Sequence, residues 1–207
     1  MRLFAAILLA TSVAVPAMGE TAIQDVLKEE RRGLNSLTTA HLDSFLQKKK
    51  PAAGQVSYTR DWLDSLPRPQ LSDAETRCLS EALYFEARGE TVSGQFAVAE
   101  VILNRVDSTL YPDTVCGVIH QGTGRKYQCQ FTYTCDGIPD VISEKAAFEV
   151  SAKVASVMVS GAPRALTDGA THYHTKAVRP NWSRKFPRTA TIGVHHFYRH
   201  PTVLAQN

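Results

Sequence analysis

The sequence predicts an α+β fold, mostly helical with a small β element near the end of the chain. Three observations predict it. Apolar residues recur at helical spacing in separate runs between Ser72 and Gly161. The period then changes to alternation in "ATHYHT" and "TIGVHHFYR", which read as strands. The composition, 43% hydrophobic and 21% charged over 207 residues, is that of a globular chain with room for one good domain plus extensions. A net charge of +3 does not call for nucleic acid as a partner, although a mild basic bias suits an anionic polymer.

Residues 1–19, "MRLFAAILLATSVAVPAMG", read as an export signal. Arg2 precedes an apolar run from Leu3 to Val15, Pro16 breaks it, and Ala17-Met18-Gly19 supplies the small residues of a cleavage site. Cleavage is expected near Gly19–Glu20. The alternative, a retained anchor, is disfavoured by the short apolar core. No later stretch is long and apolar enough to span a membrane. Residues 20–70 form an N-terminal helical segment and a linker. Ile23, Val26, Leu27, Leu34, Leu37, Leu42 and Phe45 make a thin stripe on one or two helices, interrupted at Gly33. Residues 48–70 carry Lys, Pro and Gly without periodicity, a linker laid over the domain by Tyr58 and Trp62.

The main domain is expected over 71–200, with a short tail over 201–207. Ser72 and Glu75 form a capping box that starts a helix. Its buried stripe is Cys78, Leu79, Ala82 and Leu83. The next position of that stripe is Glu86, in the "LYFEARGE" segment, before Gly89 caps the helix. A carboxyl group on a buried face, near the negative end of the helix dipole, tends to stay protonated near neutral pH and can donate its proton. The plainer reading pairs Glu86 with Arg88 or Arg105 as a structural acid.

Ser93 can cap the next helix, which is apolar almost all round from Phe96 to Val106, with Glu100 as a partnered structural acid. Pro112 and Asp113 start a short helix through about His120. "GTGRK" is glycine-rich but lacks a phosphate-loop pattern. A further helix from Ser143 carries Ala147, Val150, Val154 and Val157 on one side and ends at Gly161 and Pro163.

The cysteines are Cys78, Cys116, Cys129 and Cys135, an even count that predicts two disulfides in an exported chain. "CQFTYTC" alternates like a strand. Extended at about 3.3 Å per residue it would hold Cys129 and Cys135 about 20 Å apart, so each is expected to pair with Cys78 or Cys116.

In this order, "CLSEALYFEARGETVSGQFAVAEVILNRV", "YPDTVCGVIHQ", "CQFTYTCDG", "GATHYHT" and "IGVHHFY" resemble the SleB-type cell-wall hydrolases, the family of the spore cortex-lytic enzyme. The likeness runs from about Cys78 to Arg199. It implies a lysozyme-like catalytic domain that cuts peptidoglycan glycan strands between N-acetylmuramic acid and N-acetylglucosamine, with no cofactor or metal. The family's catalytic glutamate is the first of "EARGE", here Glu86. The N-terminal segment lacks the family's usual peptidoglycan-binding repeat, and the cysteine-bearing "THYHT" version looks like relatives from Gram-negative bacteria. That implies a periplasmic location, with an extracellular one as the alternative. Peptidoglycan is the partner so implied; the sequence points to no protein partner.

A hydrolase usually uses a second carboxylate, whereas a lytic transglycosylase needs one acid. Glu90 is the foremost candidate for a second acid, with Asp113 and Asp136 behind it; Asp136-Gly137 is a turn dipeptide. Substrate contacts are expected from Gln130, His172, Tyr173, His174, Trp182 and Tyr198. On an extended "THYHT", His172 and His174 share one face and Tyr173 takes the other. Trp182 either stacks on a sugar or packs its loop, and Phe131 and Phe197 are expected in the core. Arg179, Arg184, Lys185 and Arg188 surround Trp182 and can meet acidic peptide stems. A rival reading makes His172, His174 and His195, His196 or His200 zinc ligands of an amidase, although adjacent histidines on a strand face opposite ways. A third is a non-catalytic wall-binding protein.

Overall fold

A computed structural model of the chain describes residues 18–36, 55–125 and 128–201. It divides into two units, Met1–Lys50 and Pro51–Asn207. In the first, α1 spans Met18–Ser36. One continuous helix therefore passes through Gly33, where the sequence suggested a break; a lone glycine costs a helix only about 1 kcal/mol. Ile23, Val26 and Leu27 of its stripe are exposed. Most of the segment read as an export signal, residues 1–17, lies outside the described residues, as do Leu37, Leu42, Phe45 and the tail beyond 201. Among the described residues, no helix is long and apolar enough to cross a membrane.

The second unit contains α2 (Arg60–Asp64), α3 (Ala74–Ala87), α4 (Val92–Val106), α5 (Val115–Ile119) and α6 (Lys145–Val159). Strands β1 (His172–Thr175), β2 (Arg188–Ile192) and β3 (His195–Tyr198) follow. The fold is α+β, largely helical with one three-stranded antiparallel sheet in the order β1-β3-β2. "TIGVHHFYR" is not one strand. Gly193, at φ +57°, turns the chain so that Ile192 and His195 face each other across the β2–β3 hairpin.

The starts of α3, α4 and α5 are each set by a side-chain cap, one or two residues away from the expected one. Asp73, not Ser72, caps α3 by accepting from Thr76 N at 2.8 Å. Glu75 instead accepts from Val115 N, at the start of α5. Thr91, not Ser93, caps α4, and Thr114 caps α5. The end of α3 lies at Ala87, where Glu90 N donates to Ala87 O at 2.9 Å. Gly89 keeps an ordinary φ, so a tight turn rather than a left-handed glycine stops the helix.

The core gathers Leu79, Ala82 and Leu83 of α3, Phe96, Val98, Ala99 and Ile102 of α4, and Val150, Val154 and Ala155 of α6. The stretch before Leu71 belongs to it as well. Leu63 of α2 is fully buried, and Tyr58 meets Phe96 edge-on at 5.1 Å. Phe131 and Phe197 are core residues as expected. Glu100 is buried as a structural acid, accepting from Leu166 N, Thr167 N and Thr167 Oγ1.

The cysteine pairing corrects the expectation. Cys78 bonds to Cys116, and Cys129 bonds to Cys135. "CQFTYTC" is not extended: Thr132–Thr134 form a turn of 3-10 helix, which folds the segment back and brings the two Cα atoms to 6.3 Å.

Two side chains in the last turn of α4 seat the sheet. Asn104 Nδ2 donates to Ala170 O at 2.9 Å, and Arg105 Nε donates to Thr171 O at 2.7 Å. The inner face of the sheet, Phe197 with Tyr173, Ala190 and Ile192, then packs on Ala97 and Val101 of α4.

Candidate active site

Glu86 stands in the last turn of α3, where the interrupted apolar stripe placed it. Burial pushes its carboxyl above the ordinary carboxylate value; a hydrogen bond from Tyr173 and the charge of Arg105 oppose that push. The Tyr173 hydroxyl donates to Glu86 Oε2 at 3.2 Å. Tyr173 reaches it because β1 alternates: Tyr173 pairs with Phe197 on the inner face, while His172 and His174 pair with Tyr198 and His196. Arg88 does not neutralise Glu86; its guanidinium pairs with Glu144 at 3.0 Å.

Arg105 is buried beneath this pair. Its Nε is used by Thr171 O and its plane lies over the Tyr111 and Phe131 rings, while Nη1 has no hydrogen-bond partner. The guanidinium charge favours the carboxylate form of Glu86 without a direct hydrogen bond. Tyr133 closes another side. It stacks on Phe85 with ring centroids 4.6 Å apart, and burial together with Glu81, Glu86 and Asp140 pushes its phenol far up. Glu86 thus lies among two phenols and one buried cation.

Glu90 is engaged elsewhere. Its side chain is only 6% exposed. Oε1 accepts from Val194 N at 3.1 Å and lies 2.9 Å from Nδ1 of His195, whose imidazole burial pushes below its ordinary value. A Cβ on Gly193 would collide with Oε2, and one on Gly94 would lie 2.8 Å from it. The carboxylate is a wedge between the β2–β3 turn and the start of α4. Asp113 and Asp136 are exposed, and Asp136 Oδ1 accepts from Ile138 N as the turn residue it resembled.

The other expected contacts divide. Tyr173 joins Glu86. His172, His174 and Tyr198 lie on the outer face of the sheet with Trp182, whose ring centroid is 5.1 Å from His172 and 5.3 Å from Tyr198. His174 Nδ1 bonds Thr175 O at 2.8 Å, so it carries the proton, and Nε2 accepts from the Tyr198 hydroxyl at 3.0 Å. Burial, with Arg105 and His200, pushes the His172 imidazole down to about 4. Gln130 lies half-buried in the loop closed by Cys129–Cys135, its backbone N donating to Gln121 O. Among the described residues, no group of three or more His, Cys, Asp and Glu is placed to hold a metal ion. His195 and His196 point to opposite faces, one to Glu90 and one to Thr191.

A model of the family described as Cell Wall Hydrolase matches residues 89–198. The chain belongs to this cell-wall hydrolase family. The spore cortex-lytic enzyme of Halalkalibacterium halodurans is 35% identical over 133 residues, 61% of this chain and 35% of that protein. The spore cortex-lytic enzyme of Bacillus subtilis is 46% identical over 66 residues, 32% of this chain and 20% of that protein. The chain therefore spans about a third or less of the curated relatives it matches. Among solved structures, the catalytic domain of the Bacillus cereus SleB protein is 31% identical, with a TM-score of 0.48, covering 65% of this chain and 95% of that one.

The matched region takes in Glu90, Arg105, Tyr133 and Tyr173 and begins just after Glu86. Glu86 is singled out by the helix pattern and by its surroundings. Sequence reasoning had treated Arg105 only as a possible neutralising partner and had passed over Tyr133. The signal for Tyr133 was its place in "CQFTYTC"; reading that segment as a strand obscured it.

Proposed function

We propose that this cell-wall hydrolase cuts peptidoglycan glycan strands between N-acetylmuramic acid and N-acetylglucosamine, as a lytic transglycosylase with Glu86 as its one acid and base. The observation that carries the reading is the contrast between two neighbouring acids: burial favours the protonated form of Glu86, while the Glu90 carboxylate is held by Val194 and His195. Tyr173 occupies Glu86 Oε2, leaving Oε1 to carry the transferable proton. Glu86 protonates the glycosidic oxygen and the bond to muramoyl C1 breaks. The muramoyl C6 hydroxyl attacks C1 and returns its proton to the Glu86 carboxylate. The products are a 1,6-anhydromuramoyl end and a free hydroxyl on the leaving sugar, and no water is consumed. The transition state carries positive charge at C1, which the carboxylate form of Glu86 stabilises.

The export signal read in residues 1–19 and the two disulfides support action in an oxidising compartment, the periplasm of a Gram-negative-like cell. Mass spectrometry of soluble products from purified sacculi tests the reaction. Anhydro ends absent from the Glu86→Gln digest are expected. Reducing muramic ends would replace the transglycosylase reading with hydrolysis, and released peptides from uncut glycan would replace it with amidase action.

A further inference from the structure

The outer face of the sheet carries a concavity of about 460 Å³ that the proposed reaction does not use. Lys176, Arg179 and Arg188 line it with His196, and Val178 and Phe186 add apolar surface. No carboxylate is part of the lining, and none of the three long cationic side chains forms an ion pair among the described residues. The fold holds these cations together. Lys176 follows β1, its N donating to Val194 O at 2.8 Å, and Arg188 opens β2 opposite Tyr198. Phe186 is braced by Trp182 at 5.7 Å and His200 at 4.9 Å. The resulting positive potential is felt locally: after burial, Arg188, His174 and Lys176 push the His196 imidazole below its ordinary value. Unpaired cations converging on a walled concavity are the electrostatic footprint of an anion site.

The position of the cavity narrows the anion. β1 is an edge strand, and its successive residues Tyr173 and His174 face Glu86 and the cavity respectively. Glu86 and the cavity are thus served by adjacent residues on opposite faces of one edge strand. Stem peptides branch from the muramoyl unit, and they carry carboxylates beside short apolar side chains. We propose that this cavity binds a carboxylate of a peptidoglycan stem peptide and so holds the stem while Glu86 acts on the glycan; this rests on the glycan-cleavage reading above. The guanidinium forks of Arg179 and Arg188 take the carboxylate, and Val178 with Phe186 takes the methyl groups.

Calorimetric titration of the full chain with a synthetic stem tetrapeptide tests this, with the fully amidated peptide and inorganic phosphate as further probes. The peptide is expected to bind, more weakly at high salt. Amidation, or the double variant Lys176→Gln with Arg188→Gln, should weaken binding by about tenfold or more. Glu86→Gln should bind the peptide as the wild type does. Equal binding of the acid and amide peptides overturns the proposal even if the double variant does not fold. Absence of peptide binding, or phosphate binding tighter than the peptide, overturns it too. Muropeptide release without peptide binding would remove the stem site and leave the glycan reading. Peptide binding without release from sacculi would do the reverse.

Discussion

The Tyr173 hydroxyl donates to Glu86 Oε2 at 3.2 Å, joining two residues 87 apart in the chain. This bond opposes the burial that raises the Glu86 carboxyl, and burial is the larger of the two effects.

Replacing Glu86 with Gln keeps the volume and removes the proton. Release of muropeptides should fall by about 10²–10⁴-fold, the usual worth of a general acid. Stability should respond in the opposite sense. A carboxyl raised above its ordinary value holds its proton to higher pH when folded. The wild type then loses stability as pH rises from the unfolded value through the folded one. Urea melts of both proteins across pH should show Glu86→Gln gaining on the wild type as pH rises. A constant difference would mean that Glu86 is not raised.

Tyr173→Phe removes the bond that favours the carboxylate. The alkaline limb of the activity profile should move to higher pH, and peak activity should fall by about two- to tenfold, the worth of one hydrogen bond. An unmoved limb with normal activity would show that the phenol does not engage Glu86 in solution.

Glu90 should act on stability more than on chemistry. Glu90→Ala removes the acceptor of the exposed Val194 N and should cost about 0.5–1.5 kcal/mol in denaturant, the net worth of one hydrogen bond. Gly193→Ala should also destabilise, by at least about 1–2 kcal/mol for a left-handed φ, with the clash against Glu90 in addition. Glu90→Gln, which can still accept from Val194 N, should release far more muropeptide than Glu86→Gln. Equal losses in the two Gln variants would make Glu90 a second acid.

Loop length orders the disulfides. Cys78–Cys116 closes 38 residues of sequence separation and Cys129–Cys135 only 6. Removing the first pair should cost about 4 kcal/mol and the second about 2 kcal/mol by chain entropy. Denaturant melts of the paired Cys→Ala variants check the order. Peptide mapping that joins Cys129 to Cys78 or Cys116 would contradict the pairing itself.

The helices, their buried faces and the place of Glu86 were legible because each depends on residues three or four apart. Leu79, Ala82 and Leu83 point inward, and Glu86 continues their line whatever the rest of the chain does. The opposite facing of Tyr173 against His172 and His174 was legible for the same reason, since alternation is a property of a single strand. Where two local solutions competed, neighbouring sequence could not choose between them. Asp73 displaced Ser72 as a cap, and a 3-10 turn displaced a strand in "CQFTYTC".

By itself, then, the sequence determined an α+β chain, a buried acid at the end of a helix and the motifs of a cell-wall hydrolase. Only the tertiary structure decided which cysteines meet, that Tyr173 bonds Glu86, that Glu90 is spent on a turn, and that Lys176, Arg179 and Arg188 gather around one cavity. The physical reason is range. Periodicity reports which way a side chain points, whereas its partner is set by how distant segments pack, through interactions such as Arg105 on Thr171 that no short window of sequence contains.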